Sequence, residues 1–373
     1  MIQHYKQTDI VIQDKSLYQL QDIVDKYAIQ KALILISKTI QRSLYYQTAL
    51  SSLDITYIEY NQIEKDPDDD MIMNALYTAR KYQCDGVIAI GGGSVLDTGK
   101  AVSLMYDQKQ HILNFIHDKS YDIEKTIPLI CIPTTIGTGS EISKNIVVKN
   151  HRTGRKHRII EKAARADFMM IDCEFMKSLT VDMVLYGSMD ILAHAIEAYT
   201  NKKSMTMPDE FIDECALTSI QLVTKHLKPA LFGELHDRMQ LQLASLYAGI
   251  AMENDLHANH ILAGCIHEMF PQLHHGMCVG MLLPYIMQYN ASTCKSRYDQ
   301  INDRIQMDCI NWIIQIQQQF HYPQLSDYIH TLEDADRLIE MMIQKNISIN
   351  PISISPQQIK QMIYQACYIK RQE

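Results

Sequence analysis

The run Gly86-Val-Ile-Ala-Ile90 passes without a break into Gly91-Gly-Gly-Ser-Val-Leu-Asp-Thr-Gly-Lys-Ala101. Apolar at consecutive positions, the first segment suits a strand buried on both faces. Three glycines then let the backbone turn tightly, and helix-forming residues follow. A strand that delivers a helix start in this way aims unpaired amides beyond the sheet edge, where they favour a pyrophosphate. The turn is neither the Gly-x-Gly-x-x-Gly fingerprint nor a Walker A loop, and taken alone it also reads as a plain strand-to-helix connection.

The surrounding residues repeat the pattern. Lys31–Ser37, Asp54–Tyr60 and Ile127–Ile132 read as further strands, and Met71–Gln83 as an amphipathic helix. Unbroken apolar strands alternating with helices predict an α/β domain with a mostly parallel, Rossmann-like sheet. From about Tyr186 the texture changes to long helical periods: 210–226, 239–252, 301–320, 332–344 and 356–368. We expect two domains, residues 1–183 binding a dinucleotide and an all-α C-terminal region, 184–373, binding metal and substrate, with the boundary near 180–186. The 373 residues suffice for two proper cores.

Charge narrows the partners. A formal net charge of −8 argues against nucleic acid. The basic run from Arg152 to Arg165 is too isolated to reverse that, although it suits an anionic cofactor. Nine cysteines without a Cys-x-x-Cys pair, and no secretory leader, predict reduced thiols in a cytoplasmic protein. No apolar run approaches the roughly 20 residues of a membrane span.

Two more segments carry chemistry. In Ile132-Pro-Thr-Thr-Ile-Gly-Thr-Gly-Ser-Glu141 the hydroxyls of Thr134, Thr135, Thr138 and Ser140 follow a strand, where open α/β sheets bind ligands. Such hydroxyls also serve as ordinary loop caps. In Gly187-Ser-Met-Asp-Ile-Leu-Ala-His-Ala-Ile-Glu-Ala-Tyr199, Asp190 and His194 stand one helical turn apart on one face. A carboxylate and an imidazole so placed can share a divalent cation if other elements bring more ligands. The same spacing is common on solvated helix faces.

The glycine turn, the Pro-Thr-Thr-x-Gly-Thr-Gly-Ser-Glu loop and the Met-Asp-x-Leu-x-His-Ala-Ile-Glu-Ala-Tyr helix, in this order, resemble the iron-containing (group III) alcohol dehydrogenases. His275-Gly276, Met281-Leu-Leu-Pro284 and Asn350-Pro351 match as well, so the resemblance spans nearly the whole chain. It implies a Rossmann-like domain joined to a helical one, with cofactor and metal in the cleft between. Gly91, Gly92, Gly93, Ser94 and Asp97 would then hold the pyrophosphate region. Thr134, Thr135, Thr138 and Ser140 would line the rest of the dinucleotide, and Lys156 matches a cofactor-contacting lysine. Asp190, His194 and His275 match three of four metal ligands, for Fe²⁺ or alternatively Zn²⁺. The implied activity is hydride transfer between NADP or NAD and a small alcohol or aldehyde polarised by the metal. Relatives are often homodimers or larger.

Two positions depart from the family's pattern. Its His-x-x-x-His helix falls, in an ungapped alignment, on Ile261 and Cys265. His260 lies one residue early, a rotation of about 100° on a helix. Either a one-residue deletion brings His260 into register as the fourth ligand, or the metal site is incomplete. In the second case the chain is a metal-free reductase or a non-catalytic nucleotide-binding protein. The second histidine of the pair is missing in both alignments; His257, His267 and His274 are nearby, and His267 is the imidazole expected to accept the alcohol proton. After the first strand run, Ser37 and Lys38 stand where NAD-preferring relatives carry an acid. Serine removes the charge that repels a 2′-phosphate and Lys38 attracts one, which favours NADP. Asp66 and Asp68 read as a solvated loop and helix start.

Overall fold

The apolar runs fold where their burial on both faces demands. A computed structural model describes residues 3–116 and 123–367. Its strands are β1 (His4–Tyr5), β2 (Thr8–Ile12), β3 (Lys31–Ile36), β4 (Thr56–Tyr60), β5 (Gly86–Gly91), β6 (Leu129–Pro133), β7 (Asn145–Lys149), β8 (Lys156–Ile160) and β9 (Phe168–Ile171). The expected strands are all present, with ends within two residues of those read from sequence. Seven strands form one sheet in the order β1-β2-β9-β6-β5-β3-β4, parallel throughout except for the β1–β2 edge. Alternate residues Leu33, Leu35, Val87, Ala89, Leu129 and Cys131 share one core with Ile72, Leu76, Leu96 and Leu104. Ile34, Ile88, Ile90, Ile130 and Ile132, pointing the other way, are equally buried. The same unit holds helices α1 (Leu20–Lys26), α2 (Lys38–Gln41), α3 (Leu44–Leu50), α4 (Asp69–Lys81) and α5 (Gly93–Met105). Asp68 caps α4, accepting from the Met71 amide at 2.9 Å.

Strands β7 and β8 form a separate two-stranded antiparallel sheet and carry the start of the basic run on a hairpin. Sequence reading did not find them, nor β1, β2 and β9. Of these, β1 has two residues, β2, β7 and β8 are interrupted by polar or charged residues, and β9, though apolar throughout, is only four residues long.

The chain divides into two compact units, Met1–Leu179 and Thr180–Glu373. The second is helical: α6 (Val181–Thr200), α7 (Lys202–Thr206), α8 (Glu210–Leu231), α9 (Leu235–Ala251), α10 (Ala258–Met269), α11 (His275–Asn290), α12 (Lys295–Ile305), α13 (Cys309–Gln319), α14 (Leu332–Ile343) and α15 (Pro356–Ala366). Helix α6 is buried almost all round and packs against α8, α9 and α11, as an apolar helix must. The Thr180 hydroxyl caps its start at the Met183 amide.

One expectation is corrected. Residues 301–320 do not form a single helix: the chain breaks between α12 and α13. Gln306 adopts a left-handed φ of 56°, and Asp308 caps the new helix at the Asn311 amide, 2.8 Å away. Helical apolar spacing resumes in phase after the break, which hid it. The expected helix 210–226 continues to Leu231, through Pro229 in its last turn. The last residue of the expected helix 356–368, Tyr368, lies outside the described residues. Among the described residues no helix is long and apolar enough to cross a membrane.

Candidate active site

Two clusters of the expected residues form, one in each unit. In the N-terminal unit, β5 and β6 are neighbours in register, Ile90 beside Ile132 and Gly91 beside Pro133. Their carboxyl ends therefore deliver the 91–94 turn and the 134–140 loop side by side. The closeness of these loops needs glycine. A Cβ on Gly92 would stand 2.9 Å from Thr135 Oγ1, and one on Gly93 would stand 3.0 Å from Thr138 Cγ2. The glycines admit the second loop itself, a role the sequence reading gave to ligand approach.

Asp97 and Ser140, both expected at the cofactor, bond to each other. The Ser140 hydroxyl donates to Asp97 Oδ1, and the buried Lys100 ammonium lies 2.8 Å from the same oxygen. Asp97 Oδ2 accepts from the Val147 amide of β7 at 2.9 Å. A negative carboxylate beside a pyrophosphate would repel it. Paired with Lys100, it braces both loops and β7 at no such cost. Thr134 is buried, and Thr138 Oγ1 accepts from the Ser140 amide at 3.2 Å.

Lys156 opens β8 and places its ammonium 2.6 Å from Asp66 Oδ1. Asp66 is thus a half-buried ion-pair partner, where a solvated loop was expected, and its amide donates to Ser94 Oγ at 3.2 Å. Burial lowers the Lys156 pKa, with Asp66 opposing. Ser37 caps α2 through the Ile40 amide, and Lys38 is exposed at the first position of that helix, just beyond β3.

In the C-terminal unit, Asp190 is the hub. The spacing within α6 places Asp190, His194 and Glu197 on one face. His260 comes from the first turn of α10, and His275 is the first residue of α11. The Nε2 atoms of His260, His194 and His275 lie 3.2, 3.9 and 4.0 Å from Asp190 Oδ1. Ligands bonded at about 2.0–2.2 Å to one ion stand roughly 3.3–3.6 Å apart, so the donor set fits a divalent cation. Asp190, His194 and His260 already bring one ligand atom each within 4.8 Å of one another. The rings of His194 and His260 stack, with centroids 4.4 Å apart and planes 15° apart. His275 is more open, with its ring 5.8 Å from that of His260. His267, two turns along α10, meets His275 edge-on at 6.2 Å. Ile261 and Cys265 are not members of this cluster.

The close approach of α11 to α6 has its own glycine. A Cβ on Gly276 would lie 2.3 Å from the Tyr186 carbonyl oxygen and 3.2 Å from Asp190 Cβ. The Tyr322 hydroxyl donates to the Gly276 carbonyl at 2.9 Å.

Electrostatics tie the cluster together. Burial favours a neutral Asp190, but His194, His260 and His275 outweigh it and hold its pKa well below the usual carboxylate range. Glu197, which sequence reading left without a role, is fully buried behind His260 and accepts from its Nδ1. Burial likewise opposes its charge, and His260 and His257 outweigh that. Burial would lower the pKa of His260; Glu197 and Asp190, one at each ring nitrogen, instead push it up to about 9. His257 Nδ1 lies 3.0 Å from Glu197 Oε1, off the line of a well-formed hydrogen bond, and its Nε2 is 3.2 Å from Thr200 Oγ1.

Comparison with known proteins gives this arrangement its place. Residues 7–173 match the profile described as iron-containing alcohol dehydrogenase, and residues 184–367 match that of the family's C-terminal region. The chain belongs to the iron-containing alcohol dehydrogenase family. It is an oxidoreductase of the type that acts on CH–OH groups. An alcohol dehydrogenase of Thermococcus barophilus is 28% identical over 382 residues, covering 97% of this chain and 98% of that protein. The NADPH-dependent butanol dehydrogenase of Clostridium saccharobutylicum is 27% identical over 310 residues, 80% of this chain and 76% of that protein. Sulfoacetaldehyde reductase from Bifidobacterium kashiwanohense, solved in complex with NAD+, has a TM-score of 0.90 at 22% identity, covering 99% of this chain and all of that one. That last likeness bears on fold alone. Of some other curated relatives this family member spans only 27% or 57% of the length.

Proposed function

We propose that this family member transfers hydride between NADP or NAD and a small alcohol or aldehyde, at a divalent metal held by Asp190, His194, His260 and His275. The observation that carries the reading is Asp190 Oδ1, buried and ringed by three imidazole Nε2 atoms within 4.0 Å. Fe²⁺, or alternatively Zn²⁺, supplies Lewis acidity to a substrate oxygen when bound. The nicotinamide supplies or accepts the hydride. The chain's own residues bind, orient and move protons. His267, edge-on to His275, takes up the hydroxyl proton that an alcohol loses on oxidation and returns it when an aldehyde is reduced.

In the dinucleotide unit, proposed as residues 1–183, the amides of Gly91, Gly92, Gly93 and Ser94, from the end of β5 into the start of α5, cradle the pyrophosphate. Thr134, Thr135 and Thr138 contact the dinucleotide, while Asp97 and Ser140 brace the loops that do so. Ser37 and Lys38 at the end of β3 favour NADP, and Lys156 turns from Asp66 to the cofactor. Residues 184–373 form the metal and substrate unit. We assign the chain to the cytoplasm, as a homodimer or larger oligomer.

The test is metal content after anaerobic purification, beside aldehyde reduction with NADPH and with NADH. Near-stoichiometric iron or zinc, lost together with activity in Asp190→Asn and His260→Ala, is the expected result. Wild-type protein that takes up neither ion on reconstitution, yet reduces aldehydes, would sink the metal-assisted reading and leave a metal-free reductase.

A further inference from the structure

We propose that Glu197 is the positioning residue that makes His260 a metal ligand. Its Oε1 oxygen fixes where α10 begins, and its Oε2 oxygen holds a proton on Nδ1, leaving Nε2, which faces Asp190, as the nitrogen that gives up hydrogen to a cation. The inference rests on the metal site proposed above and explains how a histidine one residue out of the family's spacing joins it.

The first part follows from the start of α10. No side chain of the preceding residue, His257, caps that helix. Glu197 Oε1 accepts instead from the amides of Asn259 at 2.8 Å and His260 at 3.3 Å. A carboxylate from another helix thus satisfies two first-turn donors and complements the positive end of the helix dipole. The chain reaches that start through Asp255, at a φ of 66°. With the helix pinned here, residue 260 faces Asp190, and residue 261, one position and about 100° further round, does not.

The second part follows from counting donors. A carboxylate only accepts, so whichever imidazole nitrogen meets Glu197 Oε2 must carry hydrogen. That nitrogen is Nδ1. Nε2 lies 3.2 Å from Asp190 Oδ1, also an acceptor, so the metal-free ring carries hydrogen on both nitrogens. The proton it gives up to make room for a cation is the one on Nε2. Metal-bound histidines commonly have their second nitrogen fixed in this way.

Glu197→Gln separates this from a packing role, because it keeps shape and volume. Its amide has one acceptor. The two backbone donors of α10 demand that oxygen, which turns the NH₂ group toward His260 Nδ1. That nitrogen must then accept, and the ring proton moves to Nε2, where it blocks ligation. We expect selectively ¹⁵N-histidine-labelled wild type, with His260→Gln for assignment, to show the Nδ1–H tautomer when the ring is neutral, and Glu197→Gln the Nε2–H tautomer. Zn²⁺ affinity, measured against a competing chelator, should fall by about 10- to 100-fold in the variant, with unchanged far-UV circular dichroism. A neutral Nε2–H ring in wild type overturns the proposal without recourse to any variant. Wild-type Zn²⁺ affinity in Glu197→Gln also overturns it, and leaves the metal site standing. A wild type that takes up neither Zn²⁺ nor Fe²⁺ overturns both together.

Discussion

Asp190 carries a negative charge in a place where burial alone would neutralise it, and the imidazoles around it are what keep that charge. Removing the charge while keeping the shape therefore attacks the site directly, as in Asp190→Asn above. His267 poses a different question, since it touches His275 edge-on and is not part of the converging donor set. If it accepts the substrate proton, His267→Gln should lower kcat by on the order of 100-fold, with unchanged metal content. Metal analysis and steady-state kinetics on one preparation check this; an unaltered kcat removes His267 from the proton path. A carboxylate outside the site gives a pH prediction. Lys26, then His4, lower the Asp9 pKa to about 2, burial opposing and Tyr27 assisting. An unfolded aspartate titrates near 3.9, so this contribution to stability is complete above about pH 4. It is lost as pH falls toward 2, when the folded carboxylate is protonated. Asp9→Asn should lower the urea midpoint at pH 7 and flatten its decline between pH 4 and 2. An unchanged acid limb would show that the pair with Lys26, exposed as it is, contributes nothing measurable. Residue chemistry was legible where spacing within one helix carried it, as for Asp190 and His194. His260 was ambiguous because it stands one residue before the position that the family's spacing gives without gaps, and nothing local announces the cap that Glu197 supplies from 63 positions away. Asp97 and Ser140, 43 residues apart, likewise meet only in the fold.

At the scale of elements, the site depends on how closely three helices approach. Helices α6 and α11 touch where Gly276 faces the Tyr186 carbonyl, and no flexible side chain stands there to yield. Gly276→Ala must push α11 outward, taking His275 away from Asp190. We expect a loss of about 1–3 kcal/mol in stability from overpacking, together with weaker Zn²⁺ binding. Denaturant unfolding and chelator competition measure the two effects separately. A stability loss with intact Zn²⁺ affinity would show that α11 rotates about the contact and keeps His275 in place. The Rossmann-like strands were readable at this scale because burial on both faces writes continuous apolar runs, as in β3 and β5. The break between α12 and α13 was not, because Gln306 carries no glycine or proline signal at its left-handed position. Its only local sign is the capping Asp308, and aspartate is ordinary on a helix surface.

At the scale of the whole chain, the two proposed ligands fall on different units, the dinucleotide on Met1–Leu179 and the metal on Thr180–Glu373. Each ligand stabilises the structure it binds by an amount set by its saturation, about 2.7 kcal/mol at a hundredfold excess over Kd. Local opening is suppressed only where the opened form loses the ligand. Amide hydrogen exchange therefore separates the two sites. Zn²⁺ should slow exchange most in the α6 turns around Asp190 and His194 and in the first turns of α10 and α11, which hold His260 and His275. NADPH alone should slow it in 91–97 and 134–140. The order of addition should not alter which segments each ligand protects. Protection by Zn²⁺ confined to the Asp69–His151 cluster of the N-terminal unit, where aspartates and a histidine also converge, would relocate the metal altogether. Protection by NADPH absent from 91–97 would show that the glycine turn serves only to pack against Thr135 and Thr138, the structural part it already plays.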